Sequence, residues 1–211
     1  MLIVGLAGGI ATGKSLIAQE AAKLPGVRVI DADKIAWETY KKNTPVYAQL
    51  VERFGEKILA SDGEIDRKQL GQIVFSDEEA RQFLNRVVHP AVGARVREIA
   101  EQHRAQGTKL LLIEAALLLE SEYAVRDVYD YIVLVKVSSE EQIQRLMERN
   151  NLSHPEASQK VHARLSLEGQ IAQADFVLDT SGAPEETRAR ARELFGQLLR
   201  QPATPDSIKD N

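Results

Sequence analysis

The chain has 211 residues, 44% of them hydrophobic, and a net charge of −4 at pH 7; that is enough for one α/β domain with insertions and a substantial core. It has no cysteine, which excludes disulfides, thiol catalysis and zinc–thiolate sites. No apolar stretch approaches the roughly 20 residues of a membrane span, no secretory signal is visible, and the mild acidity offers no global attraction to nucleic acid or anionic lipid.

The expectation is therefore a cytoplasmic chain, monomeric or a weak homo-oligomer, with neither nucleic acid nor membrane as partner. Any phosphorylated ligand must be held by local cations. Leu2 to Leu6 is an apolar run of the kind a buried parallel strand needs. Gly8-Gly9-Ile10-Ala11-Thr12-Gly13-Lys14-Ser15 follows directly and fits G-x-x-x-x-G-K-S/T, the phosphate-binding loop. Ile17, Ala21 and Leu24 then recur at helical spacing. The glycines let backbone amides turn inward on a polyphosphate, and the new helix aims its positive end at the same place. Lys14 can reach the β- and γ-phosphates, and the Ser15 hydroxyl can sit on Mg²⁺. A bland alternative is a Gly-rich turn with a solvated lysine, but strand, loop and helix in register favour the phosphate loop.

A second strand, Val27–Ile30, leads into Asp31-Ala32-Asp33. In open α/β sheets ligands bind at this carboxyl edge. Alternate residues of an extended segment point to opposite sides, so one of the two carboxylates faces the loop. It could orient and deprotonate a substrate hydroxyl. The competing use is a helix N-cap, for which Asp33 stands ready before Lys34-Ile35-Ala36-Trp37.

The interval before the next strand is far longer than one crossover helix requires, and it reads as helices. Val46, Tyr47, Leu50, Val51 and Phe54 form one face, and Leu70, Ile73 and Val74 another. Phe83, Leu84, Val87 and Val88 form a third, and Val92, Val96, Ile99 and Ala100 a fourth, stopped by Gly107. His89-Pro90 is expected to separate the last two, since proline disfavours helix in the residue before it. Arg67, Lys68, Arg86 and His89 fall in this insertion. The arginines could hold a second phosphorylated ligand, while a histidine before proline is more often structural. Trp37 and Tyr40, three residues apart, could stack on a base or simply pack.

Lys109–Ile113 reads as a third strand, ended by Glu114, which could hold magnesium, orient water, or merely meet solvent. Tyr131–Val137 is a fourth strand. Ser138-Ser139-Glu140-Glu141 and Ser153-His154-Pro155-Glu156 each open a helix with a capping box. This hairpin carries Arg145, Arg149, Lys160 and Arg164 and reads as a lid beside the phosphate site. Arg145 and Arg149 share a face. They could clamp ATP phosphates, or form a solvated face with Glu141 and Glu148. Phe176–Leu178 is the fifth strand, and Pro184 to about Arg200 the last helix. Residues 201–211 should fray. No His/Asp/Glu group has metal-ligand spacing, so a metal should arrive as Mg-nucleotide. Strands alternating with helices argue for a parallel sheet with right-handed crossovers.

The chain resembles the dephospho-coenzyme A kinase family over nearly its whole length. Gly5 to Ser15 is similar to the family's G-L-T-G-G-I-G-S-G-K-S, and Val29-Ile30-Asp31-Ala32-Asp33 matches V-I-D-A-D. Ile65-Asp66-Arg67-Lys68-Gln69-Leu70 resembles L-D-R-x-x-L, Val74-Phe75 the V-F or I-F that follows, and His89-Pro90 H-P. Leu117-Leu118-Leu119-Glu120 resembles L-L-F-E, and Ala174 to Asp179 resembles A-D-F-V-I-D. Four positions depart: Ala116 for proline, Arg164 for glutamine, Gln170 for lysine and Thr180 for asparagine. They cluster near the expected adenine and lid regions.

The resemblance implies a P-loop kinase-like three-layer α/β fold with a five-stranded parallel sheet. The nucleotide-binding core would be residues 1–31, 108–137 and 166–200, the helical acceptor-binding insertion 32–107 and the helical lid 138–165. It implies transfer of the ATP γ-phosphoryl group to the ribose 3′-hydroxyl of dephospho-coenzyme A, with Mg²⁺ accompanying ATP. It assigns Gly8 to Ser15 to ATP, Asp33 to the hydroxyl and the Arg145/Arg149 hairpin to the lid. On this reading Asp33, Lys14, Arg145 and Arg149 are catalytic, Arg67 and His89 join Asp33 on the acceptor, and Ser15 with Glu114 serves the metal. The competing readings are another P-loop small-molecule or nucleotide kinase, a nucleotide-dependent switch, and a nucleic-acid-dependent ATPase. The absence of N-K-x-D counts against a GTPase switch, and the charge counts against the ATPase.

Overall fold

The computed structural model describes residues 1–116, 118–119, 125–162 and 167–201. Among these, β1 (Leu2–Ala7), β2 (Val27–Asp31), β3 (Leu110–Glu114), β4 (Tyr131–Lys136) and β5 (Phe176–Asp179) form one parallel sheet. Its order is β2-β3-β1-β4-β5. Parallel pairing forces each connection to cross back over the sheet, so helices cover its faces. The strand alternation decides what meets what. Leu2, Val4 and Leu6 face a core shared with Ile17 and Ala21 of α1 (Lys14–Ala22) and Phe195 and Leu198 of α9 (Pro184–Leu198). Ile3 and Ala7 face the opposite core.

Four helices lie between β2 and β3: α2 (Ala32–Thr39), α3 (Pro45–Phe54), α4 (Arg67–Ser76) and α5 (Glu78–Ala105). Three of the four predicted apolar faces find a common core of Val46, Leu50, Phe54, Leu70 and Val88. The expected break at His89-Pro90 does not occur. Instead α5 runs unbroken for 28 residues with Pro90 inside it. Proline removes one backbone hydrogen bond, that to the Arg86 carbonyl, at about 3 kcal/mol. Pro90 and Arg86 are both exposed, so water can take that carbonyl. The compensation is tertiary. Val88 packs in the insertion core, while Val96 and Ala100 pack with Ile35, Leu111 and Ile113 against the sheet. A single rod spanning two cores buries more than two short helices would. The predicted stop is correct, since Gly107 adopts a left-handed backbone just past the end.

After β4, α6 (Ser139–Asn150) and α7 (His154–His162) pack on each other through Ile143, Leu146, Ala157 and Val161. Each helix start forms one half of its predicted capping box. The Ser138 hydroxyl accepts from the Glu141 amide at 3.2 Å, and the Glu156 carboxylate accepts from the Ser153 amide at 2.9 Å. A short helix, α8 (Leu167–Ile171), leads to β5. Arg164, Leu117, Glu120 and all of the predicted tail except Gln201 lie outside the described residues.

One buried carboxylate ties the last helix to the first. Glu20 on α1 is buried, and its two oxygens accept from Arg188 at 3.1 Å and Arg192 at 3.0 Å, both on α9; Lys23 adds a third cation. Hydrogen bonding to Lys23, then to the two arginines, outweighs desolvation and holds its carboxyl down at about 2. A depressed carboxylate stabilises the fold above its unfolded value and loses that contribution as pH falls through its folded one. Glu20→Gln should therefore melt below the wild type at pH 7, and the gap should close as pH falls from about 4.5 toward about 2. Melting curves across that range would show it.

Candidate active site

The phosphate loop connects β1 to α1 at the carboxyl edge of the sheet. Its glycines are required by geometry. Gly8 has φ +146, and a Cβ there would meet the Val135 carbonyl at 2.5 Å. Gly13 has φ +92 and caps α1. Ala11 takes φ +58 without being glycine, and its neighbour Ile10 packs with it against the α6–α7 core. The Thr12 hydroxyl donates to the Gly9 carbonyl at 3.0 Å. Lys14 folds back over the loop, donating to the carbonyls of Gly8 at 2.7 Å and Gly9 at 2.9 Å. An ammonium over the loop and the positive end of α1 are chemistry suited to an anion.

Two of the three candidate carboxylates meet at one level of the sheet. Strand pairing sets Leu6 beside Glu114 and Glu114 beside Asp31. Ser15 donates to Glu114 Oε1 at 3.2 Å. Burial pushes the Glu114 carboxyl above its usual range; Lys14 and the Ser15 bond pull it down, while Asp31 and Asp33 add to the rise. The two aspartates separate by role. Asp31 is the N-cap of α2, its Oδ1 accepting from the amides of Asp33 at 2.9 Å and Lys34 at 3.4 Å. The capping role considered for Asp33 thus belongs to Asp31, because β2 runs one residue further than its apolar run. Asp33 sits exposed in the first turn of α2.

Asp33 stands at the wall of a cavity of about 200 Å³ between α2, α5 and the segment after β3. The lining includes Trp37, Tyr40, Asn85, His89, Ala116 and Tyr129. It is mostly apolar, so the polar groups are informative. Burial pushes the His89 imidazole below its ordinary value. Burial raises the Tyr40 phenol, with Arg67 opposing and Asp33 assisting, which places both charges near it. The Arg67 guanidinium lies over the Trp37 ring, 3.6 Å from its centroid. Asp33 and His89 thus line one cavity and Arg67 lies over its Trp37 wall, whereas Arg86 lies over Phe83. The Arg67–Trp37 stack and Asn85 carried no sequence signal, because the partners lie on different elements.

The two hairpin arginines diverge. Arg145 is half-buried; it donates to the Thr180 carbonyl at 2.7 Å and hydroxyl at 3.2 Å, and pairs with Glu141. Arg149 is exposed and donates from Nε to Asn150 Oδ1 at 2.9 Å. The α6 helix also approaches the loop directly, since a Cβ on Gly9 would lie 3.1 Å from Gln142 Oε1. Among the described residues no group of three or more His, Cys, Asp or Glu could hold a metal. The Ser15 hydroxyl and the Glu114 carboxylate are hard oxygen donors suited to Mg²⁺ that arrives on a nucleotide.

Comparison with known proteins bears on the family and the fold. A family profile described as dephospho-CoA kinase matches residues 2–186. A dephospho-CoA kinase from Bacillus licheniformis is 39% identical over 194 residues, covering 92% of this chain and 95% of its own. A solved structure from Thermus thermophilus superposes with a TM-score of 0.73 at 29% identity, covering 93% of this chain and 97% of that one. A shikimate kinase from Acinetobacter baumannii, in complex with shikimate, shares the fold with a TM-score of 0.53 at 15% identity; it covers 94% of this chain and 93% of that one.

The separation of the aspartates is open to measurement. Asp31→Ala removes a cap that serves two amides and should cost about 1 kcal/mol of stability. Asp31→Asn, which still caps, should cost much less. Asp33→Ala removes no N-cap and should cost less than Asp31→Ala in urea titrations. Equal losses for the two alanine variants would refute the assignment.

Proposed function

The chain belongs to the dephospho-CoA kinase family, and we propose that its reaction runs between the phosphate loop and Asp33. It is an ATP-dependent kinase that transfers the γ-phosphoryl group to the ribose 3′-hydroxyl of dephospho-CoA, which completes coenzyme A. The observation that carries the site assignment is Asp33 at the wall of a largely apolar cavity, with the end of β3 between its strand and the phosphate loop.

The residues would divide the work as follows. Backbone amides of Gly8 to Ser15 cradle the phosphates of Mg-ATP, and Lys14 leaves the Gly8 and Gly9 carbonyls to meet the β- and γ-phosphates. Ser15 contributes its hydroxyl to the metal that accompanies the nucleotide, with Glu114 behind it. A metal held there would supply neutralisation of charge on the transferred group. Asp33 accepts a hydrogen bond from the acceptor hydroxyl, aims it in line and takes its proton late in transfer. Arg67 and His89 hold the acceptor in the helical insertion. Arg145 and Arg149 belong to a lid that excludes water, so that ATP is not hydrolysed. The reaction is assigned to the cytoplasm. Among the described residues, no helix is long and apolar enough to cross a membrane.

Asp33→Asn keeps the size of the side chain and removes its basic oxygen. It should bind ATP and melt like the wild type, yet lose at least ~100-fold in kcat, the low end for a general base. Lys14→Ala should lose turnover with the fold intact, since Lys14 belongs to neither core that packs on the sheet. Trp37 is the one tryptophan of the chain and lines the cavity. Its fluorescence should therefore change on titration with dephospho-CoA in the absence of ATP. A flat titration alongside normal turnover would move the acceptor out of this cavity.

A further inference from the structure

The Thr180 side chain is nearly fully buried at the end of β5, where it touches three parts of the site at once. Its hydroxyl lies 2.7 Å from the Thr12 carbonyl, inside the phosphate loop, and 3.3 Å from the Lys136 carbonyl. Arg145 of α6 donates to the same hydroxyl at 3.2 Å. A hydroxyl has one proton and two lone pairs. With a guanidinium occupying a lone pair, the proton is directed to the nearer carbonyl, that of Thr12. The Thr180 amide makes its own bond to Lys136 at 2.9 Å, so the residue is anchored by its backbone and acts through its side chain.

The Thr12 carbonyl and the Gly13 N–H belong to one planar trans peptide and point in opposite directions. Holding the carbonyl toward Thr180 therefore turns the Gly13 N–H away from it, into the loop. Among the described residues nothing accepts from that N–H. Gly13 has φ +92, and glycine tolerates both orientations of the preceding peptide, so the backbone alone does not hold it. We propose that Thr180 is a positioning residue for the phosphate donor: its hydroxyl, oriented by Arg145, locks the Thr12–Gly13 peptide so that the Gly13 amide is presented to nucleotide phosphate. The proposal rests on the reading of residues 8–15 as the ATP site. It also gives a role to a position where this chain departs from the asparagine of the family it resembles. An asparagine amide can donate to the same carbonyl; a valine cannot.

ADP affinity measured by calorimetry, with kinetics for both substrates, tests the lock. Thr180→Val preserves shape and deletes the hydroxyl. It should weaken ADP binding and raise KM for ATP by about five- to tenfold, the equivalent of one neutral hydrogen bond, while KM for dephospho-CoA stays at the wild-type value. Thr180→Ser and Thr180→Asn, which keep a donor, should restore ADP affinity. In the wild type the Gly13 amide resonance should shift on adding ADP, a measurement that needs no variant. Wild-type ADP affinity in Thr180→Val, a silent Gly13 amide, or equal loss of both KM values without rescue by serine would each overturn the proposal. A wild-type chain that bound no ADP would remove the underlying reading, and the proposal with it.

Discussion

The parallel register of β2, β3 and β1 places the strand-end carboxylates of the site beside the phosphate loop. Leu6, Glu114 and Asp31 lie side by side because β1, β3 and β2 pair without offset at their carboxyl ends. From that line the chain leaves in three directions: the phosphate loop after β1, α2 after β2 and the cavity wall after β3. Each exit carries one chemical function. A slip of one residue in β3 would turn Glu114 to the opposite face and replace it beside Ser15 with an apolar side chain. Opposing influences also meet at this line, with burial prevailing at Glu114. Burial and two aspartates favour a protonated Glu114, while Lys14 and Ser15 favour the ionised form. A cation bound with nucleotide would add to the second side.

Two devices connect this edge to the helical parts of the molecule. The first is α5, which belongs to both the insertion core and the sheet core. It tolerates Pro90 because burial of Val88, Val96 and Ala100 on either side offsets a loss of about 3 kcal/mol. The cavity next to Asp33 is thereby referenced to the sheet by a rigid rod. The second is the contact of α6 with the loop, through Ile10, Ala11, Gln142 and the Arg145–Thr180 pair. Ala11 keeps a left-handed backbone that disfavours a side chain. Its methyl group packs with the hairpin core, so local strain is exchanged for contact between loop and hairpin.

Much of the architecture was legible in the order of residues. Five apolar runs became five strands within a residue of their predicted ends, because an apolar run between turn signals leaves a buried parallel strand few alternatives. The phosphate loop was equally readable, since its glycines answer backbone constraints that depend only on neighbours in the chain. Capping boxes at Ser138 and Ser153 were readable for the same reason. The errors share a cause. Pro90 was read as a break from local propensity, and the N-cap alternative was weighed at Asp33 rather than at Asp31, from the end of an apolar run. In the first case distant packing decided, and in the second one further residue of strand pairing.

What the sequence by itself determined is the local chemistry: a phosphate loop at residues 8–15, acidic residues at the strand ends and an arginine-bearing hairpin after the fourth strand. Spacing along a chain is enough to specify these, as every constraint acts within a few residues. Only the tertiary structure decided which of Asp31 and Asp33 is a cap, that Arg145 and Arg149 part company, and that Trp37 receives Arg67. Above all, it placed the Thr180 hydroxyl on the Thr12 carbonyl, 168 residues away in sequence. Such pairings come from strand register and helix packing, which sum many weak contacts over the whole fold and leave no periodic mark at the residues they join.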